Sequence, residues 1–385
     1  MNFTNISWTH FLAAGVTLAV LTFAINLIDI PQVEAKANPQ VFDLEAHRGG
    51  RDARPENTLV SFAYALELGV TTLEMDMQLT KDDQIVISHN PIMSTNLTKG
   101  SDGNYVKAGQ YDIRKMTLKE IKQFDVGTMN PNSGDYYESH GKTQLPVPGT
   151  KFPTLEEVFE LANSYGNDKI YFNLETKSYA DPADPNHTNN ADPEKFVKKF
   201  YEIVKKYHME DRVFLQSFDW RTLKIMHNID PTITLVALSC EQPSWGLVDG
   251  CYLKIGDKNA SPWLAGLNIN DFHGDYVKAA KAIGADIISP YWEELSPQLV
   301  SEAHELGMKV VPWTVNSPKS MNMLIDMDVD GIISDKPWIL RDLLIKRNIP
   351  VAEPSINRNS PYHTGTNIII NVETKKLSKG GDSAE

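Results

Sequence analysis

Cysteine is almost absent from this chain: Cys240 and Cys251 are the two present, with ten residues between them. That spacing excludes the Cys-x-x-Cys arrangement of zinc and thiol-redox sites. Two readings remain, one loop disulfide if the chain is exported or two thiols in a loop. Positive charge is scarce as well, with Lys+Arg 37 against Asp+Glu 50 and a formal net charge of −13. Non-specific attraction to nucleic acid or to an anionic membrane is therefore excluded, and a small anionic substrate needs a local basic pocket. After Ile28 no apolar run approaches membrane-spanning length. Also missing are the Gly-x-Ser-x-Gly elbow, the Gly-x-x-x-x-Gly-Lys phosphate loop, His-Glu-x-x-His and the dinucleotide fingerprint. The chemistries those motifs carry have no support here.

What is present can build a large core. The chain has 385 residues, 41% hydrophobic and 23% charged, enough for one barrel-sized domain or two ordinary ones. The apolar run from Phe11 to Ile28 precedes small residues at Val33-Glu34-Ala35 and Ala35-Lys36-Ala37, which predicts a signal peptide over 1–37 and an exported, periplasmic or secreted protein. The length of the run, Asn26 within it and the lack of a preceding Lys or Arg keep an uncleaved membrane anchor as the alternative. No stable membrane partner is expected once the signal is removed.

Beyond residue 40, β-branched runs alternate with amphipathic segments. Strands are expected at Val41 to Ala46, Thr71 to Met77 with a companion at Gln84 to Ser88, Ile170 to Leu174, Val213 to Gln216, Ile233 to Leu238, Asp286 to Ser289, Lys309 to Trp313 and Gly331 to Ser334. Helical patterns fall between them, several opened by a polar residue and a first-turn proline, as at Ser296-Pro297 and at Asp335 near Pro337. Eight alternations predict a closed parallel (β/α)8 barrel of the TIM type over 41–346. The interval 91–152, rich in Gly, Asn, Asp, Ser and Pro, reads as an insertion after the second strand group, over one mouth of the barrel. The segment 350–385 reads as a polar, mobile tail.

Active sites of such barrels lie where strands end. His47 and Arg48 close the first strand, Glu74 and Asp76 the second, His89 its companion, Glu175 and Lys177 the third. Two apart on a strand, Glu74 and Asp76 point the same way. With Glu175 they form an oxygen shell suited to a hard cation, Ca²⁺ or Mg²⁺, rather than zinc. Taken singly, acidic pairs, histidines, arginines and lysines are most often surface or packing residues. Their coincidence at neighbouring strand ends points instead to a phosphodiester site, with His47 and His89 for proton transfer and Arg48 and Lys177 for phosphoryl oxygens. Phe218, Trp292 and Trp313 fit a pocket wall. His140, His187, His208, His227, His273 and His304 lack partners at useful spacing and read as surface or loop residues.

The motifs His47-Arg48-Gly49, Pro55-Glu56-Asn57-Thr58, Glu74-Met75-Asp76, Ser88-His89, Glu175-Thr176-Lys177, Pro312-Trp313-Thr314-Val315-Asn316 and Asp330 to Pro337 together resemble the glycerophosphodiester phosphodiesterase family over 41–346. The resemblance implies hydrolysis of glycerophosphodiesters to sn-glycerol 3-phosphate and an alcohol, through a cyclic phosphate. It further implies metal ligands at Glu74, Asp76 and Glu175, acid/base histidines at His47 and His89, and phosphate contacts at Arg48 and Lys177. Exported members resembling this chain favour Ca²⁺ over Mg²⁺. Many members carry aspartate after the second histidine, where this chain has Asn90. The rival readings are a lysophospholipase D-like enzyme on acylated substrates and a non-catalytic glycerophosphodiester-binding barrel. The sequence does not indicate head-group preference or oligomeric state.

Overall fold

Alternate residues of the sheet divide between two apolar regions, and that division makes the molecule a barrel. The computed structural model describes residues 41–240, 253–256 and 258–365. The strands are β1 (Asp43–Ala46), β2 (Thr72–Leu79), β3 (Ile85–Ile87), β4 (Tyr171–Thr176), β5 (Val213–Ser217), β6 (Thr234–Ser239), β7 (Ile287–Pro290), β8 (Lys309–Val310) and β9 (Gly331–Ser334). Eight of them run in the parallel order β8-β7-β6-β5-β4-β2-β1-β9, and β3 pairs antiparallel with β2. Bonds from Asp330 N to Val310 O and from Ile333 N to Pro312 O, both backbone, bring the two ends together. This is the expected TIM-type barrel.

The helices are α1 (Leu59–Leu68), α2 (Leu118–Ile121), α3 (Leu155–Ser164), α4 (Pro193–Tyr207), α5 (Trp220–Ile229), α6 (Tyr276–Ala282), α7 (Pro297–Glu305), α8 (Pro318–Asp326) and α9 (Pro337–Lys346). Their starts are encoded locally. Thr58 with Ser61 and Thr154 with Glu157 form capping boxes, and Asp192, Ser296 and Ser317 each cap a helix that has proline in its first turn, satisfying amides that would otherwise be orphaned. Asp335 does not cap α9: Lys336 stands at that position without a side-chain bond, and the Asp335 carboxylate is used elsewhere.

Leu73, Met75, Met77, Phe172, Leu174, Leu215 and Ile288 join the core packed against the helices. The alternating residues Phe214, Val236, Ile287 and Ile333, on β5, β6, β7 and β9, form with Val311 just after β8 a separate apolar cluster, which fills one half of the barrel interior. The other half is polar. Glu45, Glu74, Asn173 and Gln216 are buried there on β1, β2, β4 and β5.

Two boundaries near the site differ from expectation. β2 continues to Leu79 because its last turn pairs with β3, so Glu74 and Asp76 sit mid-strand. β8 is two residues long and Trp313 keeps only a single bridge to Tyr291, since Pro312 has no N–H to extend the ladder. The insertion is a small body in which Met93, Val106, Ile113, Ile121, Phe124, Val126 and Phe152 pack together on Val86 of β3.

The tail also differs, because residues 350–365 are docked on the barrel. Ser355 N bonds Leu66 O, and the buried Glu67 carboxylate accepts from Tyr165 Oη at 2.9 Å, His363 Nδ1 at 2.8 Å and Thr364 Oγ1 at 2.6 Å. Gly69 ends α1 with φ 83, and a Cβ there would meet Ala352 O at 2.7 Å, so only glycine admits the tail. The expected signal segment 1–37, Cys251 and the end of the tail lie outside the described residues, and with them the disulfide question; Cys240 is buried. Among the described residues no helix is long and apolar enough to cross a membrane.

Truncation after Pro350 removes two of the three side chains that bond Glu67 and leaves that carboxylate under-satisfied. A loss of about 3 kcal/mol in urea unfolding is expected. An unchanged midpoint and slope would show that the docked segment contributes nothing.

Candidate active site

β1 ends in a tight turn, His47–Gly49, that turns the chain inward. Arg48 there has φ 50, a left-handed conformation that is rare for a side chain of this size. Its amide donates to Glu74 Oε2 at 2.8 Å, which holds the turn. Gly49 follows at φ 81, where a Cβ would lie 2.4 Å from Ser61 Oγ, so the His-Arg-Gly order is a packing requirement as well as a chemical one.

The strand register then gathers the acids. Asp76 pairs with Glu175 across β2 and β4, and ligand oxygens of Glu74, Asp76 and Glu175 all lie within 4.8 Å of one another. All three are buried. Burial and the neighbouring carboxylates Asp76 and Glu175 push Glu74 well above the usual range. Burial and Asp76 likewise push Glu175 up to about 7, against the opposing pull of Lys177. Burial acts on Asp76 too, but His89, Arg48 and Lys177 outweigh it and hold Asp76 low.

Lys177 Nζ is 2.9 Å from Glu175 Oε1 and 3.6 Å from Asp76 Oδ1, and Arg48 Nε is 3.3 Å from Asp76 Oδ2. Asn57 Nδ2 donates to Asp76 Oδ2 at 2.8 Å. Asp76 Oδ1 is buried with no hydrogen-bond donor among the described residues. A buried carboxylate oxygen without a donor is costly, and beside two carboxylates of raised pKa it fits a divalent cation with oxygen ligands. A second group, Asp52, His140 and Asp335, also brings ligand atoms within 4.8 Å. There Arg51, Asn316 and Lys336 already neutralise or bond the carboxylates, so it is a hydrogen-bond network rather than an ion site.

That network holds His47. Its Nδ1 is 2.5 Å from Asp335 Oδ1, while Nε2 lies 3.9 Å from Glu74 Oε2. Burial lowers the His47 pKa and Asp335 opposes the fall. His89 differs. Its Nδ1 meets Asn90 Oδ1 at 2.6 Å, and burial together with Arg48 and Lys177 drives it well below the ordinary value, with Asp76 opposing.

The structure brings together all seven candidates for chemistry: His47, Arg48, Glu74, Asp76, His89, Glu175 and Lys177. Phe218 and Trp313 form an edge-to-face pair at 5.4 Å, both half-buried. His140 corrects its reading as a surface histidine: its Nδ1 is 2.6 Å from Asp52 Oδ1. With Tyr136, which bonds Glu56, and Gln144, which bonds Arg51 O, it ties the insertion to the loop after β1. Glu56 in turn accepts from Arg48 at 2.9 Å and is lowered to about 2, because Arg48 and Arg51 overcome the effect of burial. Sequence reading missed Arg51, Tyr136, His140 and Gln216. Only Gln216 left a signal, as a polar residue on the inward face of an otherwise apolar strand.

A sequence profile of the Glycerophosphoryl diester phosphodiesterase family matches residues 47–338. The chain belongs to this family. A glycerophosphodiester phosphodiesterase of Caldanaerobacter subterraneus subsp. tengcongensis is 29% identical over 303 residues, 78% of this chain and 97% of that protein. The crystal structure of a putative glycerophosphoryl diester phosphodiesterase from Silicibacter pomeroyi superposes with a TM-score of 0.67 at 30% identity, covering 81% of this chain and 96% of that one. An Oleispira antarctica phosphodiesterase solved with the product sn-glycerol-3-phosphate shares the fold, with a TM-score of 0.55 at 23% identity over 80% of this chain and 97% of its own.

Because Asp335 opposes the fall in the His47 pKa, Asp335→Asn is expected to move the His47 titration to lower pH in histidine NMR. An unmoved or raised titration would mean that the pair carries no charge coupling.

Proposed function

We propose that this family member hydrolyses glycerophosphodiesters to sn-glycerol 3-phosphate and the free alcohol, with a divalent cation held by Glu74, Asp76 and Glu175. The observation that carries the reading is the meeting, at one mouth of the barrel, of a buried carboxylate trio, two cationic side chains and two histidines in unlike environments. The cation would supply positive charge to the phosphoryl oxygens. Oxygen ligands suit Ca²⁺ and Mg²⁺ alike, and Ca²⁺ is favoured through the likeness to exported members. Export itself is part of the proposal and rests on the run Phe11 to Ile28.

The two histidines divide the work by their surroundings. His47 gives Nδ1 to Asp335, so Nε2 carries the lone pair that takes a proton from the glycerol 2-hydroxyl, and Asp335 stabilises the imidazolium that results. The oxygen so freed attacks phosphorus and the head-group alkoxide leaves. His89 protonates it, and Arg48 and Lys177, which disfavour a cation at His89, promote release of that proton. The phosphodiester anion bound between those two cations offsets their charge and lets His89 take up a proton beforehand. In the second step the roles reverse: His89 accepts a proton from water as the water oxygen attacks phosphorus, and His47 returns one to the 2-oxygen as its bond to phosphorus breaks and the cyclic phosphate opens.

Release of glycerol 3-phosphate from glycerophosphocholine tests the reading. His47→Ala and His89→Ala are each expected to lower kcat by about 10²–10⁴, and thorough metal removal is expected to abolish turnover. Normal rates in either variant remove that histidine from the chemistry. Faster product release from lysophosphatidylcholine than from the soluble diester would move the substrate to lysophospholipids.

The cation also leaves a pH signature in stability. Folded Glu175 keeps its proton up to about 7, whereas an unfolded glutamate releases it near 4.3, about the ordinary value. The folded state therefore binds the extra proton, and stability of the metal-free chain falls as pH rises across that window. Added Ca²⁺ is expected to raise the melting temperature more at pH 7.5 than at pH 5. An equal rise at both would count against binding at this trio.

A further inference from the structure

The polar half of the barrel interior is joined by hydrogen bonds that run outward from the Asn173 amide, to Glu45 on one side and through Gln216 to Glu74 on the other. Glu45 Oε2, on β1, accepts from Asn173 Nδ2 at 2.8 Å. The same nitrogen donates to Gln216 Oε1 at 3.1 Å. Gln216 Nε2 then donates to Glu74 Oε1 at 3.0 Å. Glu45, Asn173, Gln216 and Glu74 are 1%, 0%, 2% and 2% exposed, so water does not compete for these bonds.

The direction follows from chemistry at the two ends. An amide has one donating and one accepting end. Glu45 Oε2 accepts from the Asn173 NH₂, and that bond works against the rise that burial and Asp43 impose on the Glu45 carboxyl, as a donor to a carboxylate does. Asn173 must therefore turn its NH₂ inward, and its Oδ1 is left buried with no bond among the described residues. That NH₂ also meets Gln216, which fixes the Gln216 oxygen towards Asn173 and its NH₂ towards Glu74. The orphaned Asn173 oxygen is the cost of the orientation. A reversed amide would present an oxygen to the Glu45 carboxylate.

We propose that Glu45, Asn173 and Gln216 are positioning residues that form an oriented relay, in which Glu45 fixes the Asn173 amide and Asn173 fixes Gln216, holding Glu74 with one oxygen bonded to Gln216 and its other oxygen at the Arg48 amide, so that the carboxylate meets the cation in one orientation. The inference rests on the cation reading given above and goes beyond it, because none of the three residues is a ligand. Glu74 reaches the site already oriented. Outer residues of this kind commonly alter metal affinity by about 10–100-fold.

The test is calorimetric titration of Ca²⁺ into the chelator-stripped full chain, with the melting temperature of the metal-free chain recorded alongside. Gln216→Met removes the donor at similar volume, and Asn173→Leu removes the residue that orients it. Each is expected to weaken Ca²⁺ by about tenfold, and the double variant no more than the weaker single, since both break one relay. Glu45→Gln keeps an acceptor towards Asn173, with its NH₂ facing Asp43, and is expected to bind within about twofold of the unaltered chain. Additive losses, an unchanged affinity in Gln216→Met, or a loss in Glu45→Gln equal to that in Gln216→Met would overturn the relay. If one of the two core variants does not fold, the other and Glu45→Gln still decide it. Absence of Ca²⁺ binding in the unaltered chain would instead overturn the cation reading, and the relay with it.

Discussion

The repulsion among Glu74, Asp76 and Glu175 is the constraint around which the rest of the site is arranged. Three carboxylates brought within 4.8 Å in a buried interior would drive one another to protonate or move apart. They stay because the strand register leaves them no alternative, and because Arg48, Lys177, Asn57 and Gln216 supply charge and donors from four different segments. The protection is incomplete. Glu175 still titrates at about 7 and Asp76 keeps a donorless oxygen, which is the electrostatic description of a site built for a cation.

The same charges set the two histidines apart. Burial and Arg48 depress both, but Lys177 adds to the fall at His89, whereas His47 leans on Asp335, which opposes it. One field thus produces two imidazoles of unlike proton affinity. The insertion contributes to this arrangement at a distance. Tyr136 bonds Glu56, which bonds Arg48, and His140 bonds Asp52 beside Arg51, so a segment outside the barrel helps to hold the cations inside it.

Much of the fold was legible because its signals are local. Capping residues before Leu59, Leu155, Pro193 and Pro297 mark helix starts whatever the tertiary context, and β-branched runs mark the strands. The misreadings have a common cause. Asp335 precedes Pro337 and looks like a cap, yet a buried histidine and arginine claim its carboxylate. His140 looks unpartnered because Asp52 lies 88 residues away. Residues 350–365 look like a polar tail because Glu67, their anchor, is hidden inside α1 as an ordinary helical glutamate.

The sequence by itself determined the order of strands and helices, the insertion between the second strand group and its helix, and which candidate residues stand together at the strand ends, since alternation, capping and motif order need no distant partner. Only the tertiary structure decided how those residues are charged and aimed. Strand pairing places β1 beside β9, which sets His47 against Asp335, and places β4 between β2 and β5, which brings Gln216 to Glu74 with Asn173 beside it. Proton affinity and orientation depend on burial and on neighbours remote in the chain, and neither exists until the strands pair and the interior is covered.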